Sequence, residues 1–432
     1  MTIDQRSQLI ELIRREVVPA IGCTEPMAVS LCTARTREAL GQLLPDQIEV
    51  CLSANVLKNA MGVGIPGTSG MIGLPIAVAM GAIGGKSAYG LEVLKDCTPQ
   101  VVAEATRLVA QGCIRIGLKE DTREKLYIEV TCRAGTHRAR SIISGAHTRF
   151  VWIERDGEPL YTLAEEPGSG AAAVGDEPTL NLRIVYDFAT TAPLEELRFI
   201  RQAAILNKQA AETSLRGGTY GHSLGKTLIG TAPRTSDDTL LRILSYTSAA
   251  CDARMAGAMI PVMSNSGSGN QGIAATLPVV IYAEQHQATD EQLIRALILS
   301  HLTAIYIKQH LGRLSALCGC VIASTGSSCG ITYLMGGGYQ QVAAAVKNMI
   351  ANLTGMICDG AKPSCSLKVA SGVSTALLSA LLAMNGKCVT SAEGIIEEDV
   401  DKSIRNLTRI GSEGMQEIDK MVLDMMIHKG ES

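Results

Sequence analysis

The chain has 432 residues, of which 19 % are charged, with a formal net charge of -3. That length suits two domains and an enclosed site, and the charge balance excludes a basic surface of the kind that gathers nucleic acid or anionic lipid. Thirteen cysteines, an odd number without regular spacing, follow an N-terminal stretch patterned as an amphipathic helix rather than a signal peptide, so a cytoplasmic protein with reduced thiols and a small-molecule partner is expected.

Ile3 to Val18 carries apolar residues near helical spacing, and Pro19 ends the run. Gly22-Cys23-Thr24-Glu25-Pro26 follows directly, ahead of a second helical run from Met27 to Leu40. A cysteine there sits near a helix N-terminus, whose dipole favours thiolate, although a small residue buried in a helix corner gives the same pattern. Gln47 to Leu57 reads as a strand, and Asn55, Lys58 and Asn59 place three polar side chains ahead of a Gly-rich stretch. Asn59 to Gly85 is uncharged and holds Pro66 and Pro75, which makes it a folded loop region rather than a membrane span. Gly62 to Gly67 matches GxGxxG in form only, because Pro66 lies inside it; a glycine-lined pocket for a small carboxylate is the alternative.

From Gly112 to Asp187 the period falls to two. Ile114 to Leu118, Leu126 to Cys132, Phe150 to Ile153 before the Asp156-Gly157 turn, and Leu182 to Tyr186 predict a small sheet with one wet face. Residues 165–178, rich in Gly, Pro and acids, predict a surface loop. Beyond Thr191 helical runs dominate: Pro193 to Ala210, Asp238 to Met255, Asp290 to His310 behind a Thr289/Gln292 capping box, Gln341 to Leu353, and Val373 to Met384, the last within the uncharged stretch Val369 to Gly386 that reads as a buried helix rather than a membrane span. Tyr220 to Thr227 lacks the first glycine of a P-loop and predicts a loop. Ser264 to Gly272 (SNSGSGNQG) crowds hydroxyls, amides and glycines, and either presents donors to a carboxylate or is only a tight turn. The expected class is α+β, a small mixed or antiparallel sheet domain plus a mostly helical C-terminal domain. The segments divide as residues 1–44 (N-terminal helices on the helical domain), 45–190 (α+β) and 191–432 (helical).

Five cysteines fall between Cys318 and Cys365, in LCGCVIASTGSSCG (Leu317 to Gly330) and MICDGAKPSC (Met356 to Cys365). Paired CxxC spacings for zinc are missing, a disulfide is disfavoured by compartment, and simple packing of small apolar thiols remains open. An iron-sulfur cube on three thiolates is the chemically active alternative, since an iron without a protein ligand is a Lewis acid. Cys358 and Cys365 form the close pair, with Cys318 or Cys320 third; in a helix only one of those two would reach the cube.

GCTEP (Gly22 to Pro26), SNSGSGNQG, LCGCVIAS (Leu317 to Ser324) and MICDGAKPSC, in this order along the chain, resemble the L-cysteine desulfidase group of iron-sulfur enzymes, related to the alpha part of iron-sulfur L-serine dehydratases. The resemblance implies a 4Fe-4S cluster on Cys318, Cys358 and Cys365, and Cys23 as the base that removes the substrate's α proton. It implies a non-redox elimination of cysteine to sulfide, ammonia and pyruvate. Asn55, Lys58, Asn59, Ser266 and Asn270 are candidates for holding the amino-acid carboxylate. Some dehydratase relatives end in a cysteine that caps the fourth iron; this chain has no thiol after Cys388. Iron-sulfur serine dehydration, a pyridoxal-phosphate eliminase and a non-catalytic amino-acid or thiol binder are the rivals, and a homodimer is a possible assembly.

Overall fold

The computed structural model describes residues 2–120, 122, 124–163, 178–218, 220–231, 238–312 and 315–429; the expected surface loop at 165–178 lies, apart from Pro178, outside them. The first half of the chain runs α1 (Ile3–Glu16), β1 (Pro19–Ile21), α2 (Thr24–Ala39), β2 (Gln47–Leu52), α3 (Ala54–Ala60), α4 (Leu74–Ile83), α5 (Pro99–Ala110) and then β3 (Ile114–Leu118), β4 (Tyr127–Ala134), β5 (His137–Ser144), β6 (Phe150–Arg155) and β7 (Glu158–Thr162). The second runs α6 (Leu182–Thr191), α7 (Leu194–Leu197), α8 (Arg201–Arg216), α9 (Leu224–Thr231), α10 (Thr239–Met255), β8 (Pro261–Met263), α11 (Gly269–Gln285), α12 (Asp290–Leu311), α13 (Gly319–Leu334), α14 (Tyr339–Leu353), α15 (Cys365–Met384), α16 (Val400–Arg409) and α17 (Gln416–Ile427). The protein is α+β, with a mixed sheet and a mostly helical C-terminal region.

The sheet has the order β3-β2-β4-β5-β6-β7, parallel at β2/β3 and antiparallel elsewhere. Alternation sets its faces: Ile48, Val50 and Leu52 of β2 and Ile128, Val130 and Cys132 of β4 are buried with α2 and α4. The opposite face carries ion pairs such as Arg140 with Glu129 (3.3 Å) and Arg138 with Glu154 (3.2 Å).

A second core is helical. Its central helix, α13, is buried on every side from Cys320 to Thr332 and packs on α11, α12 and α15. Gly326 makes this possible, because a Cβ there would stand 2.2 Å from the Ser300 carbonyl oxygen of α12. Leu9, Ile13 and Val17 of α1 join this helical core, whereas Met27 and Leu31 of α2 join the sheet-side core. The chain therefore crosses from one core to the other at Gly22-Cys23.

Several local expectations are corrected. Leu182 to Tyr186 is not a strand but the start of α6, capped by the Asn181 side chain; its buried face is Leu182, Val185, Phe188 and Ala189, a helical spacing. The strand expected to reach Leu57 stops at Leu52, and α3 follows. The Gly-rich stretch contains the buried helix α4, and Tyr220 to Thr227 runs into α9 from Leu224. Helix α15 begins earlier than expected, is long and apolar enough to cross a membrane by composition, and is half buried, exposing Leu367, Leu378, Leu381 and Leu382.

Candidate active site

A cavity of about 120 Å³ opens where the two cores meet, room for a few waters at about 30 Å³ each or for one small amino acid. One wall is sulfur. Leu317 and Ile357 form an antiparallel bridge, and Cys318 N donates to Met356 O (2.9 Å) while Cys358 N donates to Ala316 O (2.6 Å). This short pairing brings together cysteines forty residues apart in sequence. Cys318 caps α13 with an extended backbone, so its sulfur and that of Cys320 both face the cavity, 3.5 Å apart. The expectation that only one of the two would reach the site assumed a continuous helix. Cys365 opens α15 on the same wall. Asp359 ties the intervening loop to Lys362 (2.5 Å) and to Lys368 of α15.

Among the described residues no three His, Cys, Asp or Glu side chains converge on a single-ion position. A cube differs, because each of its irons takes a separate thiolate and its ligands stand apart. Four sulfurs on one wall, with no carboxylate or imidazole between them, form the soft donor set that iron-sulfur chemistry uses. The cysteine wall fits such a group.

Facing it is the turn where the chain changes core. Gly22 adopts φ +70°, and a Cβ there would meet the Pro66 ring at 2.3 Å, which fixes the turn against the Gly-rich segment. Cys23 caps α2, as expected for a helix N-terminus. Its thiol is not poised as thiolate, however. Cys23 Sγ donates to Glu25 Oε2 (3.1 Å), and burial together with the Glu25 charge pushes the thiol well above its usual range. Burial also works against the Glu25 carboxylate, but the His147 charge and hydrogen bonds from Cys23 and Thr24 outweigh it and hold Glu25 below the usual carboxylate range. Asn59 Nδ2 donates to Glu25 Oε1 (3.3 Å).

The third wall is the SNSGSGNQG loop. It is laced to the N-terminal segment by the β1/β8 pairing and by Ser264 N to Val18 O (2.8 Å) and Ser266 N to Glu16 O (2.9 Å). Behind it, buried His301 accepts from Asn265 Nδ2 at Nδ1 (3.1 Å), and its Nε2 meets the Thr276 hydroxyl (3.0 Å). Because that hydroxyl donates to Gly272 O (2.6 Å), Nε2 carries the proton. Burial pulls His301 down to about 3, so the ring is neutral. Ser266, Gly267 and Asn270 reach the cavity, as do two buried cations, Arg254 of α10 and Lys308 of α12. Burial pulls Lys308 down to about 8, against the charges of Cys358 and Glu25.

Of the residues expected from sequence, Cys23, Cys318, Cys320, Cys358, Cys365, Asn59, Ser266 and Asn270 line this one cavity. Asn55 and Lys58 do not. Adjacent positions on a helix point about 100° apart, so Lys58 turns away from Asn59 into a separate cavity, pairing with Asp419 and donating to Cys358 O (3.4 Å). No residue of the GxGxxG-like segment lines this cavity either; Gly64 packs against the backbone of Ala256. Sequence reasoning missed Arg254, Lys308 and His147. Arg254 and Lys308 lie in helices that carry other charged residues, Arg242 and Asp252 in α10 and Arg295 in α12, so no local signal set them apart.

The chain matches the family model described as serine dehydratase alpha chain over residues 88–424. The chain belongs to the serine dehydratase alpha-chain family. Three of its relatives are named UPF0597 protein: one from Bacteroides fragilis, 66 % identical over the whole of both chains, one from Bacteroides thetaiotaomicron, 65 % identical over the whole of both, and one from Aeromonas hydrophila, 47 % identical over 98 % of this chain and 96 % of its own. The segment matched to the serine dehydratase alpha chain contains the cysteine wall, Arg254, Lys308 and the Ser266 loop. The Cys23-Glu25 turn precedes it.

Proposed function

We propose that this protein is an L-cysteine desulfidase, which eliminates sulfide from L-cysteine without redox change and yields pyruvate and ammonia. The observation that carries the reading is one small cavity with four cysteines on one side and a thiol-carboxylate pair on the other. Membership of the serine dehydratase alpha-chain family supports the same reaction type, an elimination at the β carbon of a small amino acid.

In this reading Cys318, Cys358 and Cys365 hold a 4Fe-4S cluster, with Cys320 beside Cys318 as the alternative third ligand. When bound, the cluster supplies an iron without a protein ligand that acts as a Lewis acid toward the substrate sulfur. The remaining work falls to the chain. Cys23 becomes a base only when its proton passes along the existing 3.1 Å hydrogen bond to Glu25, a transfer that runs uphill in the resting site, where the thiol is held protonated and Glu25 rests as a carboxylate. The Cys23 thiolate then takes the α proton. The C–H electron pair forms the Cα–Cβ double bond, and the C–S bond breaks with its electrons leaving on sulfur. The aminoacrylate released hydrolyses to pyruvate and ammonia. Ser266 and Asn59 line the cavity in which the substrate would sit, and the His301-Asn265 brace keeps the Ser266 loop in place.

The second reading is serine dehydration, favoured by membership of the serine dehydratase alpha-chain family. Anaerobically reconstituted protein should give sulfide and pyruvate in equal amounts from L-cysteine, and pyruvate from L-serine at least about tenfold more slowly, the range in which a polar contact separates related substrates. A faster reaction with serine would establish the second reading. No pyruvate from either substrate would end the lyase assignment.

A further inference from the structure

Arg254 is 3 % exposed, yet no carboxylate among the described residues lies within ion-pairing distance of it. Its one hydrogen-bond partner is neutral, Asn270 Oδ1 at 3.0 Å from Nη1, and its Nε, fully shielded, has none. The nearest acid in sequence, Asp252, lies on the other side of α10 and accepts from Gly225 N (3.1 Å). A guanidinium cannot shed its charge as a buried lysine can, and a buried, unpaired charge is costly. Such a group persists where a ligand completes it.

The surroundings are shaped to leave it room. Arg254 lines the same cavity as Cys23 and Ser266. Gly269, the first residue of α11, lies against the guanidinium, and a Cβ there would stand 2.2 Å from Nε. Asn270, next in the chain, holds Nη1 in place, and its own amide nitrogen is turned to Met255 Sδ (3.4 Å). Two consecutive residues of SNSGSGNQG thus serve the arginine, one by yielding space and the other by orienting it.

We infer that Arg254 is a substrate-binding residue that clamps the α-carboxylate of a free amino acid, with Asn270 as its positioning residue. The inference rests on the cavity being the amino-acid site proposed above. It restricts the substrate to molecules with a free carboxylate and excludes esters, amides and cysteine linked to a peptide through its carboxyl group. Guanidinium and carboxylate are matched in geometry, and their charge-assisted bonds are among the strong ones.

The test uses unreactive ligands, so that it reads binding whether or not the protein is a lyase. Calorimetric titration of anaerobically prepared protein with L-alanine and with L-alaninamide should show alanine binding on the order of 100-fold more tightly, the scale of lost hydrogen bonds to a charged group. In Arg254→Gln that preference should disappear, with alaninamide affinity, iron content and the unfolding midpoint preserved. Arg254→Lys should recover part of it, since a point charge remains but the fork is lost. Gly269→Ala, which displaces the guanidinium without removing it, should also weaken alanine selectively. The inference is overturned if Arg254→Gln keeps the preference for alanine, if the wild type shows none, or if the substitution lowers iron content and leaves the preference intact, which would make the arginine a partner of the cluster. Loss of lyase activity with the alanine preference intact would sink the proposed reaction and leave the clamp standing.

Discussion

Lys58 and Lys308 are both buried lysines, one on each side of the loop that carries Cys358. On the back side, Lys58 is completed by Asp419 and by the Cys358 carbonyl, and it ties α17 to α3. On the front, Lys308 looks into the sulfur-lined cavity and forms no ion pair among the described residues, like Arg254 beside it. Under the proposed reading the difference separates structural from functional charge: the cation that the fold has already paired holds the fold, and the one left without an ion pair at the edge of the cavity is assigned to a ligand. Sequence proximity to the Gly-rich stretch had favoured Lys58; pairing favours the other side.

The contrast is broken most severely on the front. Cys23→Ala should lower turnover by at least about 10³-fold while leaving iron content unchanged, the upper range for loss of a general base; steady-state pyruvate assays and iron analysis read both. Glu25→Gln keeps the shape but takes no proton, and should cost on the order of 10²-fold in kcat, with a smaller effect on KM. If Glu25→Gln retains full activity, the thiol ionises by another route.

The two lysines should then dissociate from one another. Lys58→Met leaves Asp419, which is 20 % exposed in its side chain, without its cation, and should destabilise the protein by about 1–3 kcal/mol in denaturant melts with KM unchanged. Lys308→Met removes an unpaired charge, so stability should hold or rise while KM for cysteine increases roughly tenfold. The reverse pattern would invert the assignment of the two cavities.

The smallest effect concerns the brace behind the front wall. His301 takes a proton near 3 when folded and near its ordinary value when unfolded, so between those limits the unfolded chain binds more protons. Stability should therefore fall as pH drops from about 6.5 toward 3. His301→Gln should flatten that part of the pH profile, measured as unfolding midpoints across the range.

The sequence disclosed those parts of the fold that carry a local signal. Helices α1, α10, α12 and α14 announced themselves through runs at helical spacing, and the Thr289/Gln292 pair read from the sequence forms a real capping box. The strands of the sheet alternate because one face is dry. Helix α13 left no period to read, since every face from Cys320 to Thr332 is buried, and α6 imitated alternation because Leu182, Ile184 and Tyr186 happen to be two apart. In the site, the cysteines and the SNSGSGNQG loop were legible as clusters of unusual residues. Arg254 and Lys308 were not: what marks them is the missing partner, a property of three-dimensional packing that no spacing encodes.

The most direct test is a count of iron and acid-labile sulfide on anaerobically prepared wild-type, Cys23→Ala and Cys358→Ser proteins. The account predicts a full 4Fe-4S complement in the wild type and in Cys23→Ala, and its loss in Cys358→Ser. Wild-type protein free of iron and sulfide, or a Cys23→Ala protein that loses both, would contradict it.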